Sequence, residues 1–545
     1  MRFFQFILRA FSFKLFMAVI ISMVSGFSMA SLVAMLSQQL TRQTPFTMQI
    51  ITLFGIITLL AIGADLISKW LMMSALGWNS YQLRISLARQ ILAKPYAQLE
   101  SIGNTRLQTV FLDNTNQILL GLHQIPNLTV ALTTLLGSLI YLGWLAPTLL
   151  GILMLLALPL LGGYWLLQRK ANLALKMMHR TRTQADDYYR ALTEGAKELK
   201  LNSSRWYAFQ TQWLEPATSL SQQQSTLARS WNYIANTWSQ SIYFIFILVI
   251  LGLAAWQPAN NAFIAAYALI ILYMKSAVTV LLNSSGQWHE ADIACRHLQA
   301  FGFILSTEIG LPEKPATPAA TMPPVQLQLR NVVYHYKDRI DGQSFTLGPV
   351  SIAMRSGEVI FLTGGNGSGK TTLIKVLTGL YAPHTGSIDW NGRPVTEQTL
   401  EPYQQLFSVI FADFYLFDEL LGLDTLDQHA RYYLNKFQLQ DKVGINKGVF
   451  STTDLSHGQR KRLALLTAYL ENRPIYIFDE WASGQDPEFR EIFYRQLLPD
   501  LKARGKLVIV SSHDHHYFSA ADRIINLDYG KVTLDRRQSG TPDQA

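Results

Sequence analysis

Eight consecutive residues, GGNGSGKT from Gly364 to Thr371, have the types and spacing needed to hold phosphate. They fit G-x-x-x-x-G-K-[ST], follow the apolar, strand-like VIFLT and precede the helix-like TLIKVLTGL. In such a loop Gly364, Gly365, Asn366, Gly367, Ser368 and Gly369 present backbone N–H groups at a helix N-terminus, where an anion is favoured. Lys370 reaches the terminal phosphates, and the Thr371 hydroxyl, with Thr372 beside it, offers an oxygen to Mg²⁺. The competing reading is a glycine-rich turn without function, and the order strand, loop, helix speaks against it.

Two further apolar strands end in groups that complement this loop. PIYIF runs into Asp479-Glu480. A carboxylate at a strand's C-terminal edge can hold Mg²⁺, and its neighbour can polarise an attacking water. KLVIVSS runs into His513, placed to meet a terminal phosphate. His515 and His516 read as surface residues, because HDHH lacks the second ligand set that a metal cluster needs.

These groups need a scaffold, and the composition divides it in two. Apolar residues make up 49% of the 545 and charged ones only 15%, which leans toward a membrane protein too long for one core. Leu15–Leu36 and Thr47–Ala64 carry no charge. Gln124–Gln168 and Ser230–Met274 each run 45 residues uncharged, broken only at Ala146-Pro147-Thr148 and at residues 257–261. At about 1.5 Å per residue each long run crosses a hydrocarbon core of about 30 Å twice, so six spans are expected.

Orientation follows from Lys and Arg. Arg84, Arg89, Lys94 and Arg106 lie between spans two and three, and ten more lie between residues 169 and 229. The opposite connections hold only Arg42, which puts both termini and the C-terminal domain on the cytosolic side of an inner (cytoplasmic) membrane. The net charge of +9 invites a nucleic-acid partner, but basic residues spread along segments beside a bilayer argue for none. The single cysteine, Cys295, excludes an intramolecular disulfide.

The two basic connections lack Pro/Gly punctuation and read as helices that leave the bilayer to meet the soluble domain. Asp65 and Lys69 lie four apart on one helix face, and Lys275 falls in span six. Such charges either meet substrate in a polar cavity or mark the membrane interface. Five prolines from Pro312 to Pro324 mark a linker over 306–324. The expected division is a membrane domain over 1–305 and a nucleotide-binding domain over 325–545, opened by the strand-like VQLQLRNVVYHY.

DLSHGQRKR lies between the phosphate loop and the Asp-Glu strand, and it carries a family resemblance. LSHGQ, Leu455–Gln459, looks like the LSGGQ signature of ATP-binding cassette (ABC) proteins. The motif order, Asp486 just after Asp-Glu and six spans ahead match that family over nearly the whole chain. The resemblance implies a polytopic α-helical membrane domain of exporter type, followed by an α/β phosphate-loop ATPase domain. It also implies that Ser456, His457, Gly458 and Gln459 act on ATP held by a second copy, giving a homodimer with two composite sites. Tyr336 is then the adenine-stacking aromatic, and Asp486 the D-loop aspartate. His457 stands where the family has its first signature glycine.

DEWASGQDP, with Trp directly after Glu, narrows the resemblance, as do FDELLG, SSHDHHYF and EGAKELKLN. Together they resemble the bacterial cyclic-peptide and siderophore exporters, a group that includes the pyoverdine and microcin J25 exporters. The implied function is ATP-driven export of an amphipathic, peptide-like substrate from the cytoplasm. ATP and Mg²⁺ are the implied cofactors, with membrane lipid around the spans. A lipid or multidrug exporter would use the same engine. The reading from a different class is a membrane-bound sensor or regulatory ATPase that transports nothing.

One stretch departs from the family pattern. VIFADFYLFD, Val409–Asp418, falls where ABC proteins carry a Mg²⁺-ligating glutamine. Aligned on Leu416-Phe417, that position is Ala412, and Asp413 follows it. Either Asp413 has taken over the metal or water contact, or water fills that role and Phe414, Tyr415 and Phe417 dock the stalk helices.

Overall fold

A computed structural model describes residues 13–42, 47–103, 107–108, 110–256, 261–304, 324–336, 345–423 and 427–538. The proline-rich linker and the second expected hairpin turn fall largely outside these residues. The chain forms two compact units. One holds the residues up to Ala93 and from Ile102 to Gly310; the other joins Lys94–Ser101 to everything from Leu311 on.

The first unit is helical, and among its described residues six helices are long and apolar enough to cross a membrane. Its elements include α1 (Phe13–Arg42), α2 (Met48–Ala93), α4 (Ile125–Leu145), α5 (Pro147–Glu194), α6 (Glu215–Trp256) and α7 (Asn261–Ala300). The short α3 (Tyr96–Ile102) lies between α2 and α4 in sequence. Of the three prolines in the first uncharged 45-residue run, the break falls at Pro147: Ala146 adopts φ −156° and ψ 88° and Pro147 opens α5, while Pro126 sits at the start of α4 and Pro159 lies within α5. A proline lacks the N–H that a helix interior needs but suits a helix start. With 46 and 48 residues, α2 and α5 are about 70 Å long, more than twice the bilayer core.

Packing inside this unit relies on small and hydroxyl side chains. A Cβ on Gly26 of α1 would lie 1.8 Å from the Thr133 Oγ1 of α4, and one on Gly137 of α4 would lie 2.8 Å from the Ala30 Cβ. The absent side chains let the two helices touch, as membrane helices do when hydrophobicity cannot drive their contact. Toward α2, the Ser25 and Ser68 hydroxyls donate to the Ala61 and Ala18 carbonyls at 3.1 and 2.8 Å.

The C-terminal unit is built on a six-stranded sheet. Its strands are β3 (Val359–Thr363), β6 (Phe407–Ile410), β7 (Ile475–Asp479), β8 (Leu507–Ser511), β9 (Arg523–Asp528) and β10 (Lys531–Arg537), in the order β10-β9-β3-β8-β7-β6. All neighbours are parallel except β9 and β10. A second sheet, ordered β2-β1-β4-β5, comes from β1 (Gln326–His335), β2 (Thr346–Arg355), β4 (Thr385–Trp390) and β5 (Arg393–Pro394). β3 is buried on both faces, as its uninterrupted apolar sequence requires. Val359 and Phe361 join one core layer with Phe478, Trp481 and Phe493; Ile360 and Leu362 join the other with Leu373, Ile374 and Tyr403. This topology sets the C-terminal ends of β3, β8 and β7 side by side, the usual place for a ligand crevice in parallel sheets.

Candidate functional site

The phosphate loop leaves β3 and enters α8 (Lys370–Leu377) through three glycines in the left-handed region, at φ 140° (Gly364), 77° (Gly367) and 104° (Gly369). At Gly364 the need for glycine is also steric, because a Cβ would lie 2.2 Å from the Leu527 carbonyl oxygen. Lys370 folds over the loop, donating to the Gly364 and Gly365 carbonyls at 2.9 and 3.1 Å. Burial lowers the Lys370 pKa, against the pull of Glu480 and Asp479. The His513 Nε2 sits 3.2 Å from Lys370 Nζ and 3.6 Å from Glu480 Oε1. Unprotonated, that nitrogen accepts from the ammonium; carrying a proton, it faces the carboxylate.

Asp479 is fully buried at the end of β7, and its Oδ2 accepts from the Thr371 hydroxyl at 2.8 Å. Burial raises its pKa above the ordinary carboxylate value, while the Thr371 and Ser511 hydroxyls and Lys370 work the other way. Its Oδ1 reaches no partner in hydrogen-bonding geometry among the described residues. A buried carboxylate with a free oxygen beside a threonine hydroxyl fits Mg²⁺, which takes one or two such ligands and completes its shell with phosphates and water. Among the described residues no group of three or more His, Cys, Asp or Glu side chains forms a cage.

Glu480, one residue on, adopts φ 49°, left-handed and rare for a side-chain-bearing residue. Its N–H donates to the Ser511 carbonyl at 3.1 Å, and its side chain is partly exposed beside His513. The structure thus brings Gly364–Thr371, Asp479, Glu480 and His513 to one place. Thr372, next in α8, is buried. A cavity of about 780 Å³ opens beside Gly364, Gly365 and His513, and His515 lines it too, stacked edge-on against Phe518.

The LSHGQ residues occupy the start of α9 (His457–Glu471). Ser456 accepts from the Gln459 N–H and Gln459 Oε1 accepts from the Ser456 N–H, a reciprocal cap that fixes the helix entry. A Cβ on Gly458 would come within 3.0 Å of the Gly484 carbonyl oxygen, and the Gln485 amide donates to the Gly458 carbonyl. His457 points toward Phe414, with ring centroids 6.3 Å apart. Among the described residues no hydrogen bond or ion pair joins Ser456–Gln459 to the phosphate loop. Asp486 caps the next helix through the Phe489 N–H at 2.8 Å and pairs with Arg462. The Phe489 hydrogen bond is the main cause of its lowered pKa.

Tyr336 lies half-buried at the end of β1, edge-on to Tyr334 and Tyr381 and near Phe345. Its hydroxyl is 3.3 Å from that of Tyr381. Tyr381 in turn donates to Glu100 of α3, which Lys375 also approaches at 2.9 Å.

Comparison with known proteins fits this geometry. Residues 347–483 match the ABC transporter family. The chain is 33% identical to the ATP-binding protein SyrD of Pseudomonas syringae pv. syringae, over 95% of this chain and 94% of that protein. The chain belongs to the ABC transporters. Its C-terminal unit is an ATPase domain whose hydrolysis is coupled to transport. An ATP-dependent lipid A-core flippase of Neisseria gonorrhoeae is 27% identical over 56% of the transporter and 50% of its own length. The fold is that of a bacterial Atm1-family ABC exporter solved with ATP bound, with a TM-score of 0.73 over 96% of this chain and 94% of that one at 14% identity.

Two features of the transporter escape sequence reasoning. Glu100 has no motif around it, yet α3 packs with the ATPase core through Ala97 and a Tyr96–Tyr381 stack. Lys461 belongs to the charged run Arg460-Lys461-Arg462, yet its side chain is buried. In the VIFADFYLFD stretch, Ala412 and Asp413 are exposed. Leu416 and Phe414 turn into the ATPase core, while Tyr415 and Phe417 are 77% and 56% exposed and pair with each other. Burial raises the Tyr96 pKa against the opposing charge of Lys375, and the Glu100 and Asp413 charges add to the rise.

Within the spans, Asp65 and Lys69 form an ion pair at 2.7 Å. Lys275 holds its ammonium 5.4 Å from the Phe244 ring centre. An apolar cavity of about 270 Å³ lies among α4, α5, α6 and α7, bounded by Leu142, Leu153, Tyr243 and Met274 among others. None of the three charged residues lines it.

Proposed function

We propose that the chain exports an amphipathic, peptide-like molecule across the cytoplasmic membrane as a homodimer, with both termini and the ATPase domain cytosolic. The observation that carries this reading is the DEWASGQDP resemblance to peptide and siderophore exporters, supported by the relationship to SyrD, which runs through spans and ATPase alike, whereas two flippase relatives match 56% and 73% of this chain. In the proposed cycle the loop N–H groups and Lys370 hold the phosphates, and Tyr336 stacks on adenine. Thr371 and Asp479 hold Mg²⁺, which when bound neutralises phosphate charge. Glu480 accepts the proton of the attacking water, and His513 contacts the terminal phosphate. Ser456 and Gly458 close on ATP held by the partner chain, in keeping with their separation from the chain's own phosphate loop. Substrate leaves because its affinity differs between the inward- and outward-facing states.

A lipid substrate is the second reading, supported by the flippase relatives and the predominantly apolar cavity. A metabolite comparison between a deletion strain and its parent separates the two. A peptide or siderophore retained inside the mutant supports peptide export, and a lipid retained in the inner leaflet overturns it. For the chemistry, Glu480→Gln is expected to bind ATP and turn it over about 10²–10⁴-fold more slowly. Turnover near that of the parent would remove Glu480 as the base.

A further inference from the structure

The nucleotide chemistry leaves the buried cation Lys461 without a task. Lys461 lies in α9, two residues past Gln459, and is only 3% exposed. Its ammonium donates to the Glu480 carbonyl at 2.9 Å and to the Ser483 carbonyl at 2.8 Å. The bond is reciprocated one peptide on, where the Trp481 indole N–H donates to the Lys461 carbonyl at 3.0 Å. Trp481 is fully buried and stacks on Phe493 with ring centroids 4.4 Å apart, so the clasp is seated in the core.

Burying an ammonium is unfavourable, and burial accordingly lowers the Lys461 pKa, opposed by the charges of Glu480 and Asp479. An apolar residue would fill the same space without that penalty, so the hydrogen bonds are the reason for a donor here. What they hold is unusual. Glu480 sits at φ 49°, and a non-glycine residue stays there only when its surroundings over-determine the backbone. The Ser511 carbonyl fixes the Glu480 N–H from β8, and Lys461 fixes the Glu480 carbonyl from α9.

We propose that Lys461, clasped by Trp481, is a positioning residue that holds Glu480 in its left-handed turn and ties this base to the helix carrying the LSHGQ residues. The inference rests on Glu480 being the base. Its consequence is communication between the two ATP sites of the proposed dimer. Ser456–Gln459 and Lys461 share one helix. A shift of α9 as it engages the partner's ATP therefore moves the peptide that aims this chain's own base. The Trp directly after Glu, left without a role by the nucleotide chemistry, acquires one as the return half of the clasp.

The test uses the full-length purified transporter and measures ATPase kcat and KM, binding of a fluorescent ATP analogue and thermal melting. Lys461→Met keeps the length and apolar stem but removes the donors. It is expected to lower kcat about tenfold or more with KM and analogue binding within about twofold. Lys461→Gln retains an amide donor and is expected to recover most of the loss. Trp481→Phe is expected to lose about threefold. In a Glu480→Gln background, Lys461→Met should add almost nothing, because it acts through that glutamate. The proposal is overturned if Lys461→Met turns over normally while Glu480→Gln is inactive. It is equally overturned if Lys461→Gln fails to rescue and both variants melt lower by the same amount, or if Lys461→Met lowers the residual Glu480→Gln rate by its full factor. Normal turnover of Glu480→Gln alone removes the base itself, and is recognised separately by that single variant.

Discussion

The contact between α1 and α4 and the core around Trp481 hold their elements together with different materials. In the first, Gly26 and Gly137 let backbones touch, and toward α2 the Ser25 and Ser68 hydroxyls reach carbonyls of neighbouring helices. In the second, Phe478, Trp481, Phe489 and Phe493 interlock as buried rings. Solvent explains the difference. Only 6% of the most apolar stretch in the fourth span is buried inside the protein, which leaves large side chains such as Leu155, Leu158 and Trp165 turned outward. Lipid tails are as apolar as leucine, so burying these residues against protein would gain little, and close approach and hydroxyls must serve instead. In water the same burial gains about 25 cal/mol per Å², and aromatic rings supply the most area.

This contrast can be broken by substitution. The largest stability effect is expected from Phe478→Ala, which opens a cavity in the ATPase core and should cost about 3–5 kcal/mol by denaturant unfolding. A loss below about 1 kcal/mol would mean that this core is not what holds the unit. Gly26→Val comes next, at about 1–3 kcal/mol, because the added atoms meet Thr133. It should lower the melting temperature of the full-length protein in lipid, and an unchanged value would show that α1 and α4 do not need close approach. Ser68→Ala tests the hydroxyl contribution, expected near 0.6 kcal/mol as an order of magnitude.

The smallest effect concerns the seat of α3, and it depends on pH. Burial would raise the Glu100 pKa, but hydrogen bonds from Tyr381 and Lys375 outweigh it, so the seated value lies below the ordinary 4.5. The Lys375 pKa is raised above its ordinary 10.5, with Glu100 outweighing burial. A depressed carboxylate stabilises above its free value and loses that contribution as pH falls through the seated one; a raised lysine contributes fully below its free value and loses that contribution as pH rises through the seated one. Amide exchange in Tyr96–Ile102 should therefore show constant protection across neutral pH and faster opening below about pH 4.5. Glu100→Gln should remove the acid limb. Protection that rises on acidification would contradict the ion pair.

Much of the candidate site was legible because its residues lie in short contiguous motifs. Gly364 and Gly369 are needed by local backbone geometry, and Asp479, Glu480 and His513 sit at strand ends that an apolar run announces. The spans were legible because bilayer thickness sets a length, and Pro147 marked a hairpin turn. Glu100 was not, because its partners Lys375 and Tyr381 lie 275 and 281 residues away. The burial of Lys461 was hidden for a related reason, since what shelters it is the turn after β7 rather than its own helix. Of the aromatic residues after Asp413, the sequence could not say which face the core: Phe414 does, and Tyr415 and Phe417 do not.

The membership of Lys94–Ser101 in the C-terminal unit means that this compact unit draws on two separate stretches of the chain. A fragment starting after the proline-rich linker would leave behind the helix that covers Lys375 and Tyr381, and with them the side of the unit that reaches Tyr336. Truncation at the obvious boundary would thus expose a buried lysine and a tyrosine cluster to water. Restoring them would take a graft: residues 94–101 fused through a short linker ahead of β1.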